Sequence, residues 1–185
     1  MSNFNRQPTL NSSRTVLRPM VPDDFAGLYA VASDPQIWAV HPAHDRWQEP
    51  VFRAFFEDGL ASGGSLVASD PASGAIIGHS RYDYGRCGPG EIEIGWSFLA
   101  RSHWGGATNA AMKALMIAHA LPHHDRVIFL IGETNVRSRR AMEKIGGRLD
   151  PARVHDAQLS TGIVRHVTYL IDAASFAAGP LAGQI

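Results

Sequence analysis

Residues 91–100, EIEIGWSFLA, run through RSHWGGATN into a long helical pattern, so a strand ends in a glycine-containing turn that opens a helix. Such a junction gathers unpaired backbone N–H groups around one point, at the positive end of the helix dipole, and forms a cradle for an anion. Gly105 and Gly106 let backbone approach a ligand closely, Ala107 adds little bulk, and Thr108 and Asn109 offer further donors. On spacing alone, two adjacent glycines serve an ordinary turn more often than a phosphate site. The segment is not a Walker loop, because no Gly-Lys-Ser/Thr follows, and the Gly-x-Gly-x-x-Gly dinucleotide spacing is absent.

Other reactive side chains are less directive. Cys87 sits in the turn GRCGPG, far in sequence from any His-rich motif, which argues against a nucleophile. His41, His44 and Asp45 are close in sequence, but no third and fourth ligand stands at zinc-site spacing, so no metal is expected. His123-His124-Asp125 has an ordinary loop reading.

The elements that position these residues alternate between the two hydrophobic periods. TVLRP at 15–19 reads as a short strand, and Pro22-Asp23-Asp24 opens a helix to about Ser33. SDPQIWAVHPAHDRWQEP reads as a loop before a second helix at about 50–61. SLVAS and AIIGHSRYDYG form a hairpin around DPASG, and the strand 91–100 follows. A helix at 107–121, a continuous apolar strand VIFLIG at 127–132, a short helix ending at Gly146-Gly147, and strands near GRLDPARV and IVRHVTYLI complete the chain. The order β-α-α-β-β-β-α-β-α-β-β predicts an α/β fold with a mixed sheet and helices on both faces, in one domain over 1–185. Residues 1–12 and about 173–185 are expected to be loosely ordered tails.

Composition narrows the function classes. Seventeen basic residues balance seventeen acidic ones, so no global field draws the protein to nucleic acid or an anionic membrane. One cysteine excludes an internal disulfide framework, and the start MSNFNRQPTLNSS lacks a signal-peptide pattern. No apolar run approaches a membrane span, so a cytoplasmic location is expected.

IEIGWSFLARSHWGGATNAAMKALM resembles the central acetyl-CoA motif of the GNAT N-acetyltransferases, and ETNVRSRRAMEKIGG resembles their next motif, Asn-x-x-Ser followed by a short helix ending in Lys-x-Gly. With the element order, the resemblance covers roughly residues 13–171, and the RimJ/RimL-like branch is the most similar. It departs from the family's usual Gln/Arg-x-x-Gly-x-Gly/Ala loop at Trp104, at Ala107 in place of glycine, and at Asn109.

The resemblance implies acetyl-CoA as cosubstrate. Phe98, Leu99 and Ala100 would lie along its pantetheine arm, paired through their backbone, and Trp104 through Asn109 would hold the pyrophosphate. Asn135, Ser138 and Arg140 would also contact it. Arg137, Arg139, Arg140 and Lys144 are near enough in sequence to offer charge, although not all can face one side of a helix. Each also reads as part of a solvated basic helix.

Acetyl transfer to an amine needs a neutral amine, a polarised thioester carbonyl and a protonated leaving thiolate in one complex. For the base the resemblance suggests Glu93, which shares a strand face with Glu91 opposite Ile92 and Ile94, and then Glu133. Either also reads as a solvent-facing strand residue, and water is a further alternative. The tyrosine that many family members use as the acid is Met142 here, which leaves Ser138; Ser138 also reads as a helix-start residue. Asn135 caps that helix or bonds the cofactor. Polarisation would come from a main-chain N–H near Phe98 or Leu99.

The acceptor would meet the loop between the first two helices, with Trp38, His41 and Arg46 as contacts beside Trp96; His44, Asp45 and Trp47 belong to the same loop. The acceptor reads as a peptide N-terminus or a small amine, and a non-catalytic acyl-CoA-binding module is the alternative of a different class. A homodimer is left open.

Overall fold

Phe25, Leu28, Tyr29 and Ala32 repeat at helical spacing. In the computed structural model, which describes residues 4–159 and 161–184, they fall on α1 (Phe25–Ala32). α2 (Pro35–Trp38) and α3 (Glu49–Ser62) follow, and α3 ends at Gly63 in the left-handed conformation, φ 62°. The remaining helices are α4 (Thr108–Ala120), α5 (Val136–Lys144) and α6 (Ala173–Ala178).

The strands are β1 (Leu10–Asn11), β2 (Val16–Pro19), β3 (Ser65–Ser69), β4 (Ile76–Asp83), β5 (Glu91–Leu99), β6 (Arg126–Gly132), β7 (Arg148–Leu159) and β8 (Gly162–Asp172). They form one sheet in the order β1-β2-β3-β4-β5-β6-β8-β7, antiparallel except for the central β5–β6 pair. A parallel pair needs a crossover, and α4 supplies it. Both faces of the sheet are covered. Met112, Leu115, Met116, Met142 and Ile145 of α4 and the α5 region pack with Ile92, Ile94 and Leu99 on one face. Leu28, Trp38, Phe52 and Phe56 of α1 to α3 pack with Val67 and Phe98 on the other.

Strict alternation would put Phe98 on the same face as Ile92 and Ile94. The structure places it on the opposite face because β5 carries a bulge: His79 pairs with Phe98 and Arg81 with Gly95, so Trp96 and Ser97 stand opposite Ser80 alone. Trp96 adopts φ 53°, a left-handed backbone that costs a bulky residue about 1–3 kcal/mol. One inserted residue exchanges the two faces of everything after it. Glu93 and Phe98 therefore look toward α1–α3, and Ile94 and Leu99 toward α4.

Three expectations need correction. The stretch between the first two helices is not all loop, since Pro35–Trp38 is helical with Asp34 accepting from the Gln36 N–H. The termini are not loose over their described residues. Phe4 packs edge-on against Tyr82 at 5.3 Å, Leu10–Asn11 adds an edge strand, Asp172 and Ser175 form a capping box for α6, and Leu181 is buried. Residues 1–3 and 185 lie outside the described residues. Finally, Glu93 is not solvent-facing, because helices cover both faces of the central strand and leave it 0% exposed.

Candidate functional site

Parallel pairing between β5 and β6 ends at Glu93 and Ile128, although β5 continues to Leu99 and β6 to Gly132. The strands part beyond that point and a cleft of about 170 Å³ opens between them. One edge of β5, from Ile94 onward, has no strand partner and offers backbone donors and acceptors to the cleft. Ile94, Gly95, Trp96 and Ser97 form one wall, Phe129 to Gly132 the other. Asn109 and Lys113 of α4 line it, as do Asn135, Ser138, Ala141 and Met142, while His41, Pro42 and His166 complete it.

The turn before α4 stands at the mouth of this cleft through Asn109. Gly105 takes φ 71°, a conformation that favours glycine, and a Cβ on Gly105 or Gly106 would meet nothing within 4 Å. Ala107 is the N-cap, and no side chain caps the helix, so its first N–H groups are free for a ligand. Thr108 begins the helix, one residue later than the sequence suggests. The Trp104 indole donates to the Leu99 carbonyl at 2.9 Å. Ala100 is tied the other way, its N–H donating to Ile77 at 2.8 Å.

Two motifs distant in sequence meet here. Arg137, at the start of α5, lies 4.2 Å from the centre of the Trp104 ring and donates to the Ile37 carbonyl at 3.3 Å. The basic residues of α5 are otherwise divided. Arg139 is held by Tyr169 and the Glu133 carbonyl, at 3.2 and 3.1 Å, whereas Arg140 and Lys144 are exposed. Asn135 is the cap of α5, its Oδ1 accepting from the Ser138 N–H at 3.2 Å, and it is also part of the cleft wall. The Ser138 hydroxyl therefore caps nothing, and it makes no hydrogen bond among the described residues.

The two carboxylates of β5 differ sharply. Glu91 is held by Arg153, by hydrogen bonds of 2.7 Å, and by Arg126 at 3.0 Å; these keep it below the ordinary carboxylate range. Glu93 accepts from Arg86 through both guanidinium arms, one at 3.0 Å. Burial nevertheless lifts its pKa to about 7, against the pull of Arg86. Arg86 and Arg81 also flank the Trp96 ring, at 4.9 and 4.2 Å from its centre. Glu133 lies just past β6, exposed and outside the cleft lining.

Of the acceptor-side candidates, His41 and Trp96 line the cleft. Burial holds His41 neutral, with its pKa lowered to about 3, and its Nδ1 accepts from the Ala43 N–H. Trp38 is a core residue rather than a loop contact: it is 2% exposed and donates to the Ala32 carbonyl at 2.7 Å. The Arg46 guanidinium lies over Phe55 at 4.7 Å and makes no ion pair among the described residues. Burial lowers its pKa to about 10.

Cys87 takes no part, since burial and Glu93 push its thiol up to about 12. No group of three or more potential metal ligands occurs among the described residues. Sequence reasoning missed Arg86, Ser97, Lys113 and His166. Of these only Lys113 left a signal, a lone charge at Asn109+4 in the helix AAMKALM.

Residues 14–148 match the acetyltransferase (GNAT) domain family. Solved structures share the fold at low identity. A probable GNAT-family acetyltransferase from Chromobacterium violaceum matches at TM-score 0.81 and 15% identity, over 95% of this chain and 91% of that one. A GCN5-related N-acetyltransferase from Brucella melitensis matches at TM-score 0.79 and 17% identity, over 95% and 82%. Mycobacterium smegmatis RimJ, in complex with CoA-disulfide, matches at TM-score 0.68 and 17% identity, over 92% and 87%.

Proposed function

The chain belongs to the GNAT acetyltransferase family, and on that premise we propose that it transfers an acetyl group from acetyl-CoA to a primary amine by direct attack in a ternary complex. The observation that carries this reading is the parting of β5 and β6 beyond Glu93, which opens a cleft beside the uncapped start of α4; the Glu93 carboxylate is buried where the strands separate and lies outside the cleft lining. The site suits acetyl-CoA: both glycines of the cradle face open space, the helix start is uncapped, and Ser138 has a spare hydroxyl.

In this reading the pantetheine arm runs along the free edge of β5 at Phe98 to Ala100, and Trp104 to Asn109 hold the pyrophosphate. Asn135 and Arg140 of the α5 motif are its further contacts. A main-chain N–H near Phe98 or Leu99 polarises the acetyl carbonyl. Glu93 takes the proton from the amine, directly or through a water, and Glu133 is the second candidate. Ser138 presents its hydroxyl to the departing sulfur.

The acceptor enters past His41, Trp96 and His166, with Arg46 and Trp38 behind them. A protein N-terminus is our first choice of acceptor, in keeping with the RimJ-like resemblance, and a small-molecule amine is the alternative. We place the reaction in the cytoplasm, without nucleic acid or membrane. No helix among the described residues is long and apolar enough to cross a bilayer.

The test is release of free CoA from acetyl-CoA over a panel of N-terminal peptides and small amines. Turnover with peptides is expected. Tight acetyl-CoA binding without turnover on any acceptor would make the protein a non-catalytic acyl-CoA-binding module instead.

A further inference from the structure

The buried face of α4 is apolar except at Lys113. Lys113 is 5% exposed and forms part of the cleft wall, one turn beyond Asn109 on the same helix side. Its Nζ donates to Ser97 at 2.6 Å and to Ser80 at 3.4 Å, both hydroxyls beside the bulge of β5. No carboxylate pairs with it among the described residues. An ammonium buried without a counter-ion is expensive. It has three N–H groups, and two are accounted for.

A negative charge does arise in this cleft if it holds acetyl-CoA, on which this inference rests: the thiolate of the departing CoA. Ser138 alone cannot neutralise it, because an aliphatic hydroxyl holds its proton far more tightly than a thiol does, and the transfer would leave an alkoxide. We propose that Lys113 is a second catalytic group, whose ammonium meets the CoA sulfur from the α4 side and holds the departing thiolate as an ion pair while Ser138 donates a hydrogen bond from α5.

The step balances. The amine nitrogen bonds to the thioester carbon, the C–S bond breaks with its electron pair on sulfur, and the thiolate so formed is paired with the Lys113 ammonium. The proton lost by the amine goes to Glu93, and exchange with solvent restores the carboxylate. Burial without a counter-ion lowers the Lys113 pKa to about 7, and a thiolate beside it supplies the missing negative charge. The groups facing Lys113 are Ser80 of β4, Ser97 of β5 and the Phe129 ring of β6 at 5.6 Å. The neighbouring His79 is held neutral, its pKa lowered to about 4 by burial, and Glu93 lies on the opposite sheet face.

The test needs no acceptor. CoA is bound to the protein, its affinity is measured, and the ultraviolet absorption of its thiolate is followed against pH. Cys87, with its raised pKa of about 12, stays silent over the range used. Wild type is expected to hold about ten times more thiolate at neutral pH than free CoA does. Lys113→Arg should keep that enhancement and Lys113→Met should abolish it, with the circular dichroism of both unchanged. Wild-type-bound CoA that titrates like free CoA overturns the proposal without any variant, and so does an enhancement that survives in Lys113→Met. Failure of CoA to bind wild type is a separate readout, which overturns the cleft reading and this inference with it.

Discussion

Arg137 and Trp104, from motifs more than thirty residues apart, face each other with the guanidinium 4.2 Å from the ring centre. The same indole donates to the Leu99 carbonyl, one of the backbone groups assigned to the pantetheine arm. Acetyl-CoA should therefore disturb Trp104 when it binds. A cation over an aromatic ring contributes about 1 kcal/mol, and this contact belongs to the protein itself, so Arg137→Ala should cost about that much stability and, by loosening the ring beside the cradle, weaken acetyl-CoA binding. Calorimetric titration checks the affinity, and a binding-induced emission change that disappears in Trp104→Phe checks the ring. Unchanged affinity in Arg137→Ala would make the stack a local packing contact only.

Gly105 and Gly106 differ in what a side chain would cost. Gly105 stands at φ 71°, so valine there is strained by about 1–3 kcal/mol and covers the cradle as well. Gly105→Val should lower acetyl-CoA affinity by at least about tenfold, and Gly106→Ala, in open space at ordinary φ, by much less. Equal affinity in a correctly folded Gly105→Val protein would exclude the turn from the site.

Glu93 becomes able to accept a proton as pH climbs through about 7. Turnover should rise across that range and level off above it. Glu93→Gln should lose about two to four powers of ten in rate together with this pH limb. The shift also has a stability sign. The folded pKa is raised, so the contribution of this group is fully present below the ordinary carboxylate range and is lost as pH rises through about 7. A pH–rate profile shared by wild type and Glu93→Gln would move the base to Glu133 or water.

Ser138 and Asn135 separate catalysis from capping. Asn135 accepts the Ser138 N–H, so Asn135→Ala should cost about 1 kcal/mol of stability. Ser138→Ala should leave the melting temperature near wild type, because its hydroxyl caps nothing, while lowering turnover more than acetyl-CoA affinity. Near-normal turnover in Ser138→Ala would remove the hydroxyl from the mechanism.

The strand–turn–helix junction and the α5 cap were legible in the sequence because they are local. Strand, glycine turn and helix follow one another over 91–120, and the Asn135 to Ser138 motif lies within a single turn. The rest depends on long-range geometry. The bulge at Trp96 leaves no residue signature, since its left-handed backbone is imposed on a tryptophan, and it decides which face Phe98 occupies. Trp38 looked like a loop aromatic because α2 is only four residues long, too short for a periodic pattern. The partners that set the two β5 carboxylates apart, Arg86, Arg126 and Arg153, come from the β4–β5 turn, β6 and β7. The C-terminal segment read as loose because alanine-rich AASFAA has little apolar bulk, yet the Asp172 cap and Leu181 fix it.

In the proposed function acetyl-CoA lies where β5 and β6 part. A crystal structure of the protein with acetyl-CoA shows whether it does. The pyrophosphate should rest against Gly105 to Asn109, the pantetheine along the free edge of β5, and the sulfur between the α4 and α5 walls at Lys113 and Ser138. Acetyl-CoA bound instead in the open depression bounded by Asp125, Arg126, Arg148 and Asp150, with the β5–β6 cleft empty, would exclude the cleft as the cosubstrate site.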